Sequence, residues 1–322
     1  MKVPPEIAAL RAEGGSQQPL AASHEKAMRD ALARWHNRPE IAALLSEVQG
    51  FGSGAPIEEC GHLHSLTRQH DLASDFVRSF NADMLSQLRH TPLGEVPLRF
   101  KSSRGFSTLQ IVQAGRATLS LVAYEPSNGV ALPSSAVFAD RASREMIIAG
   151  EASAISHRRR DDDILTEPLA LTAGCRISCK PMAEARQIVS VKRSLLMVQL
   201  TREPQSPKPT QEISLETGQI LKQASGDKSA SQAAMALSVL GTLSDNRAVR
   251  IFVTTACNLR EDGNVRWEAA RQALASDSVA GIRLLDRLAA DECDPLAGAA
   301  RDLRDRLLDG HPSLRIALRE AA

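Results

Sequence analysis

The densest collection of ligand-type side chains in the sequence is Glu58-Glu59-Cys60-Gly61-His62-Leu63-His64, with His70 beyond it. On a strand, a His-x-His pair turns both imidazoles to one face, as a transition metal requires. On a helix the same two rings diverge by about 200°, and His64 to His70 is not a one-face spacing either. The stretch has helical periodicity, so two readings stand. His62, His64 and His70 are metal ligands, or they are surface or interface histidines. Cys175 and Cys179 are four apart. Zinc sites pair one Cys-x2-Cys with a second, which is absent, so these thiols read as small hydrophobes in a core. The run His157-Arg158-Arg159-Arg160-Asp161-Asp162-Asp163 could grip phosphate, but its three aspartates neutralise it and it reads as a solvated loop.

Other chemistries lack their residues. There is no Gly-x-Ser-x-Gly, no Gly-x-Gly-x-x-Gly and no phosphate-loop pattern. Gly50-Phe51-Gly52-Ser53-Gly54 is glycine-rich but follows a helix, whereas a phosphate cradle follows a strand; it reads as a break or hinge. With 39 basic and 38 acidic residues the net charge is +1, and aromatics make up 3%. Such a chain has neither the basic footprint nor the stacking surface of a nucleic-acid binder. From Arg247 onward twelve Arg balance twelve Asp and Glu, with no Lys. No segment approaches the roughly 18–20 apolar residues that span a bilayer. Five scattered cysteines and no secretory pattern at Met1–Glu6 make a cytoplasmic location the expectation.

Three blocks of elements must position these residues. Residues 1–20 read as loose. Helices are predicted at Ser23–His36, at Pro39–Val48 and over 57–90, with Asp71 as an N-cap. From Leu98 to Arg202 the pattern becomes paired short strands. They fall at Leu98–Ser102, Thr108–Gln113, Thr118–Glu125, Ala136–Ala139, Glu145–Ala149, Glu151–His157, Pro168–Thr172, Arg176–Lys180, Gln187–Lys192 and Ser194–Thr201. Ser127-Asn128-Gly129 reads as a loop, and Gly115 and Gly150 as turns between strands. A further hairpin spans Glu212–Leu215 and Gln219–Lys222 around a Thr-Gly turn. Beyond Asp227 the chain is helical, with Asp294-Pro295 as a helix start and Asp309-Gly310 with Pro312 as a stop.

The strand layout and glycine placement of Leu98–Thr201 resemble the cupin family. That resemblance implies a jelly-roll barrel and one divalent metal, held by a His-x-His pair, a Glu and a last His. Here Phe138-Ala139-Asp140 stands at the His-x-His position, Glu145 at the Glu position and Gly150 at the following Gly. The second-motif region, Gly174 to Arg186, holds no His, and His157 is the only one in the strand stretch. The resemblance thus implies a frame whose usual metal site has been lost, or a site of non-standard ligands built from Asp140, Glu145 and His157. Farther on, Val265–Leu274 and Asp294–Arg301, with Ala269-Ala270-Arg271 recurring as Ala299-Ala300-Arg301, are similar to HEAT-type helical repeats.

The expected architecture is α+β and multidomain. An N-terminal helical region (1–95) precedes an all-β cupin-like barrel with a trailing hairpin (96–225), and a HEAT-like α-helical domain (226–322) follows. The expected function is non-catalytic binding or regulation without a cofactor. The barrel would take a small-molecule ligand, and the helical arm an unidentified protein partner or a second copy. Neither a membrane nor nucleic acid is an expected partner. The alternative is an oxidoreductase or isomerase using one divalent transition metal at Asp140, Glu145 and His157.

Overall fold

A computed structural model describes residues 18–127, 129, 132–160, 163–243 and 247–320. Of the stretch 1–20 expected to be loose, residues 18–20 are instead helical and the rest lies outside the described residues, as do Asn128, Asp161 and Asp162. The chain divides into two compact units, Met1–Gln205 with Glu212–Leu221, and Ser206–Gln211 with Lys222–Ala322.

The first unit opens with helices α1 (Gln18–His36), α2 (Pro39–Ser53), α3 (Gly61–Leu66) and α4 (His70–His90), with a short 3-10 turn at Ile57–Glu59. Their apolar residues recur at helical spacing: Met28, Ala31, Leu32 and Trp35 on α1, and Ile41, Leu44, Val48 and Phe51 on α2. Ala73, Phe76, Val77, Phe80 and Met84 do the same on α4, and all of these are buried. Trp35 packs edge-on to Phe80 at 5.1 Å and donates its indole N–H to Ser79 Oγ at 3.1 Å. Asp71 lies in the first turn of α4 rather than at its N-cap, which is Gln69.

Ten strands follow: β1 (Arg99–Ser103), β2 (Phe106–Ala114), β3 (Ala117–Tyr124), β4 (Ser135–Phe138), β5 (Ala142–Arg160), β6 (Asp163–Thr172), β7 (Arg176–Cys179), β8 (Glu184–Arg202), β9 (Thr210–Ser214) and β10 (Ile220–Ala224). Seven form one antiparallel sheet in the order β1-β2-β3-β8-β5-β6, with β7 also paired to β5, and a second sheet runs β10-β9-β4. The chain is therefore α+β, but the large sheet is not closed into the predicted barrel: among the described residues it ends at β1 on one side and at β6 on the other.

Two predicted strand pairs are single long strands. Glu145–Ala149 and Glu151–His157 both belong to β5, and Gln187–Lys192 and Ser194–Thr201 both belong to β8. Gly150 is not a turn but a bulge. Its φ is +102°, and a Cβ there would lie 2.2 Å from Ser194 O. The register of β5 on β8 shifts four times between Ile147 and Ala154. The basic run also continues the strand to Arg160 instead of forming a loop.

Around the centre of the large sheet both faces are covered. Leu119, Leu121, Met146, Val198 and Leu200 pack into the core of α1–α4. The other face carries Val122, Ile147, Leu171, Leu195 and Met197, all buried. Coverage on both sides explains why β3 and β8 are apolar at successive positions instead of alternating. Polar contacts fasten the helices to the sheet, the Arg116 N–H donating to Gly52 O at 3.3 Å among them. Arg202 lies over the Phe51 ring, 4.1 Å from its centroid, and donates to Ala55 O at 2.9 Å. His70 Nε2 donates to Ile148 O at 3.0 Å, at the residue that the β5–β8 register skips.

The second unit holds α5 (Lys228–Thr242), α6 (Ala248–Ala256), α7 (Gly263–Ser276), α8 (Ser278–Ala290), α9 (Ala297–Gly310) and α10 (Pro312–Glu320). Asp227, Asp262 and Asp277 cap α5, α7 and α8. Asp294 does not start a helix directly, because α9 begins at Ala297. Instead its carboxylate takes a buried two-pronged contact from Arg266, whose Nε donates to Ala256 O at 2.9 Å. The repeated Ala-Ala-Arg triplets differ in setting: Ala269 and Ala270 are both buried, whereas Ala299 is exposed and Ala300 buried. No helix among the described residues is long and apolar enough to cross a membrane.

The glycine-rich stretch predicted as a break is helical to Ser53, and Gly54, at φ +123°, ends it. Within the helix Gly52 touches the sheet: a Cβ there would meet Ala114 O at 1.9 Å, whereas one at Gly50 would meet nothing within 4 Å. Gly52→Ala should therefore lower stability by about 2–3 kcal/mol through overpacking. Gly50→Ala should raise it by about 0.5–1 kcal/mol through helix propensity. Urea unfolding of the two variants checks this, and equal midpoints would show that α2 does not seat on the β2–β3 turn.

Candidate functional site

Glu145, a sequence candidate only 3% exposed, lies on the inner face of β5. Its cross-strand neighbour on β8 is Gln199. Gln199 Nε2 donates to one carboxylate oxygen at 2.7 Å, and Arg186 Nη2 donates to the other. Arg186 comes from the far half of β8, where it pairs in register with Ser156, eleven residues beyond Glu145 on β5. At roughly 3.3 Å per residue, a straight ribbon would hold the two about 36 Å apart. Their contact therefore requires the β5–β8 ribbon to fold back on itself, and the bulges around Gly150 are where it does so.

The centre so formed is charged but self-contained. Burial works against the Arg186 charge, yet the Glu145 carboxylate outweighs it and keeps the guanidinium protonated. Arg186 Nε has no partner among the described residues. Cys179, on β7, lies close by. Burial first, and then the Glu145 charge, push its thiol up, away from the reactive thiolate. Burial likewise raises the Tyr124 phenol.

His157 is fully buried. Its Nε2 lies 2.8 Å from Gln187 Oε1, and Gln187 Nε2 donates to Ser135 O at 3.0 Å. Gln187 Oε1 can only accept, so His157 carries its proton on Nε2. Nδ1 then accepts from Thr166 Oγ1 at 3.0 Å. Ser135 Oγ in turn donates to Glu212 Oε1 at 2.7 Å, so one polar chain joins β6, β5 and β8 to β4 and β9. The apolar residues Ala136, Phe138, Ala185 and Ile213 pack together between the same strands.

Asp140 is half-buried on the link between β4 and β5. His62 and His64 both lie on α3. His62 Nδ1 meets Glu47 Oε1 at 2.8 Å, while His64 Nε2 is 3.5 Å from Arg68. His70 is on the sheet-facing start of α4, bonded to Ile148 as described above. Among the described residues no three His, Cys, Asp or Glu side chains gather into a group able to hold a metal ion. Arg186 was missed in the sequence because its partner lies forty-one positions away. The one available signal is an arginine inside the otherwise mostly apolar run Ala185-Arg186-Gln187-Ile188-Val189.

One ligand-sized opening in this unit lies in the helical layer, and two others lie along the sheet, around Gly150 and around Glu151. A cavity of about 550 Å³ is lined by residues of α2, α3 and α4, including Ile41, Leu44, Leu66 and Phe76. Glu47, on its wall, accepts from Leu63 N at 2.7 Å as well as from His62. Burial alone would raise its carboxyl, but the bonds from Leu63 and His62 together hold it below its ordinary value.

No protein-family model matches this sequence, and no curated protein matches it. Similar solved structures include CapF with the inhibitor 3-isopropenyl-tropolone, 11% identical, over 34% of this chain and 32% of that one, at a TM-score of 0.28. The chain thus spans about a third of CapF. A sugar phosphate isomerase of the cupin superfamily from Silicibacter pomeroyi is 11% identical, over 37% of this chain and 77% of its own, at a TM-score of 0.25. An RmlC-like cupin from Shewanella frigidimarina is 12% identical, over 34% and 86%, at a TM-score of 0.24. No activity is carried from these proteins to this chain.

Burial lowers the His157 pKa, with the Gln187 bond acting the other way. Unfolded, the imidazole takes up a proton near its ordinary 6.5, and folded only at lower pH. The stability that neutral His157 contributes is therefore complete above about pH 6.5 and is lost as the pH falls below it. Urea midpoints measured from pH 7.5 to 5.5 should drop, and drop less in His157→Gln. Burial depresses His36 in the same direction, so part of the slope should persist. An unchanged slope in the variant would show that His157 is not the group responsible.

Proposed function

We propose that this chain is a non-catalytic binding protein, in which the folded-back sheet is the scaffold and the cleft in the helical layer takes a small-molecule ligand. The observation that carries this reading is the internal commitment of Glu145, whose two oxygens serve Arg186 and Gln199. A metal ion brought to this carboxylate would sit beside the buried Arg186 guanidinium, a like charge, and a proton on it would leave that guanidinium unpaired. His157 points the same way, since both of its ring nitrogens are engaged within the fold. The second unit is read as a protein-interaction arm. Met235 and Val239 on α5 and Leu243 at its C-cap support this, exposed at four-residue spacing.

Titration of the purified chain with Fe²⁺, Mn²⁺, Ni²⁺ and Zn²⁺ tests the reading. The expected result is no stoichiometric binding. One equivalent bound, and lost in Glu145→Gln, would replace this reading with that of a metal-dependent enzyme.

A further inference from the structure

The cleft between α2, α3 and α4 has an unusual lining. Its floor is apolar: Ile41, Leu44, Leu66 and Phe76 are buried beneath it, and Leu72 stands 46% exposed on its wall. The acidic side chains around it are Glu40, Glu47 and Asp75; the lining holds no Lys or Arg, and its basic group is His62, bonded to Glu47. Glu40 has no hydrogen-bond or ion-pair partner among the described residues. Asp75 is held at 2.5 Å by Arg78, on the solvent side of α4, with both side chains mostly exposed. Glu47 is the most enclosed of the three, 22% exposed, and is fixed by His62 and the Leu63 amide. Ser65 and Ser79 also line the wall, the Ser79 hydroxyl being engaged with the Trp35 indole and Phe76 O.

An apolar floor with a mainly acidic rim selects an occupant that has an apolar body and the opposite charge. We propose that the cleft binds an amphiphilic organic cation, an amine on an alkyl or aryl body. The body rests on Ile41, Leu44, Leu66 and Phe76, and the ammonium lies among Glu40, Glu47 and Asp75. This rests on the reading of the chain as a binding protein and adds the class of ligand. The cavity, about 550 Å³, falls within the range of small-ligand sites, roughly 300–1,000 Å³.

Calorimetric titration of the full chain with n-octylammonium, n-octanol and n-octanoate separates the contributions of body and charge. Octylammonium should bind on the order of tenfold more tightly than octanol, and octanoate more weakly than either, since one favourable ion contact corresponds to about a tenfold change. In Glu40→Gln/Asp75→Asn, both exposed, with Asp75 tied only to the exposed Arg78, the preference for the cation should shrink several-fold while octanol affinity changes little. Equal binding of all three compounds would overturn the ligand class and leave the binding reading standing. No heat from any of them at millimolar concentration would overturn both.

Discussion

The fold turns on a strand ribbon too long to lie flat. β5 and β8 are nineteen residues each and pair along almost their whole length. A straight ribbon of that length would leave the inner face of its middle open to water. Gly150 and the adjacent register shifts let it double back, and the two halves then need something to hold them together. Glu145 and Arg186 meet across that gap, supported by Gln199. A buried pair of this kind adds little net stability over a well-packed apolar pair, but breaking one side costs about 3–5 kcal/mol because the other charge is stranded. The pair therefore acts as a specificity device: it favours the one fold-back in which both charges are satisfied.

That role shapes what the protein can do. The position where a metal or an acid–base group would be sought is filled by a side chain already neutralised from within. The same economy appears at His157, whose hydrogen bonds link the large sheet to the small one. His70 likewise satisfies the Ile148 carbonyl, which the bulged ladder leaves unpaired. Polar residues that look chemical in isolation are thus used to close gaps created by the bend. One ligand-sized space is left where the helices cover the sheet's other face and do not fill their own junction.

Much of this was legible in the residues. Helical spacing of Ala27, Ala31, Leu32 and Trp35 located α1, although Met28 rather than Ala27 is the buried residue at that turn, and the small strands fell close to their predicted places. Gly150 was recognised as a special backbone position but misread as a turn, because a positive φ serves a bulge and a hairpin equally. The glycines at 50 and 52 suggested a break; packing against Ala114 overrode propensity and kept the helix whole. Asp294 carried a helix-start signature, yet its carboxylate is used chiefly by Arg266. What could not be read was long-range pairing. Nothing local marks Arg186 as the partner of Glu145, or Gln187 as the acceptor that fixes the His157 tautomer. Barrel closure was inferred from strand layout and glycine placement, whereas closure depends on which edges meet.

A double-mutant cycle at Glu145 and Arg186 tests the central claim most directly. Glu145→Gln, Arg186→Met and the double variant would be compared by urea unfolding at constant pH. If the pair ties the two halves of the ribbon, each single change is strongly destabilising, and the double variant is more stable than the sum of the two by about 2–3 kcal/mol. Additive effects, or a Glu145→Gln chain as stable as the parent, would contradict the account and return Glu145 to the candidates for chemistry.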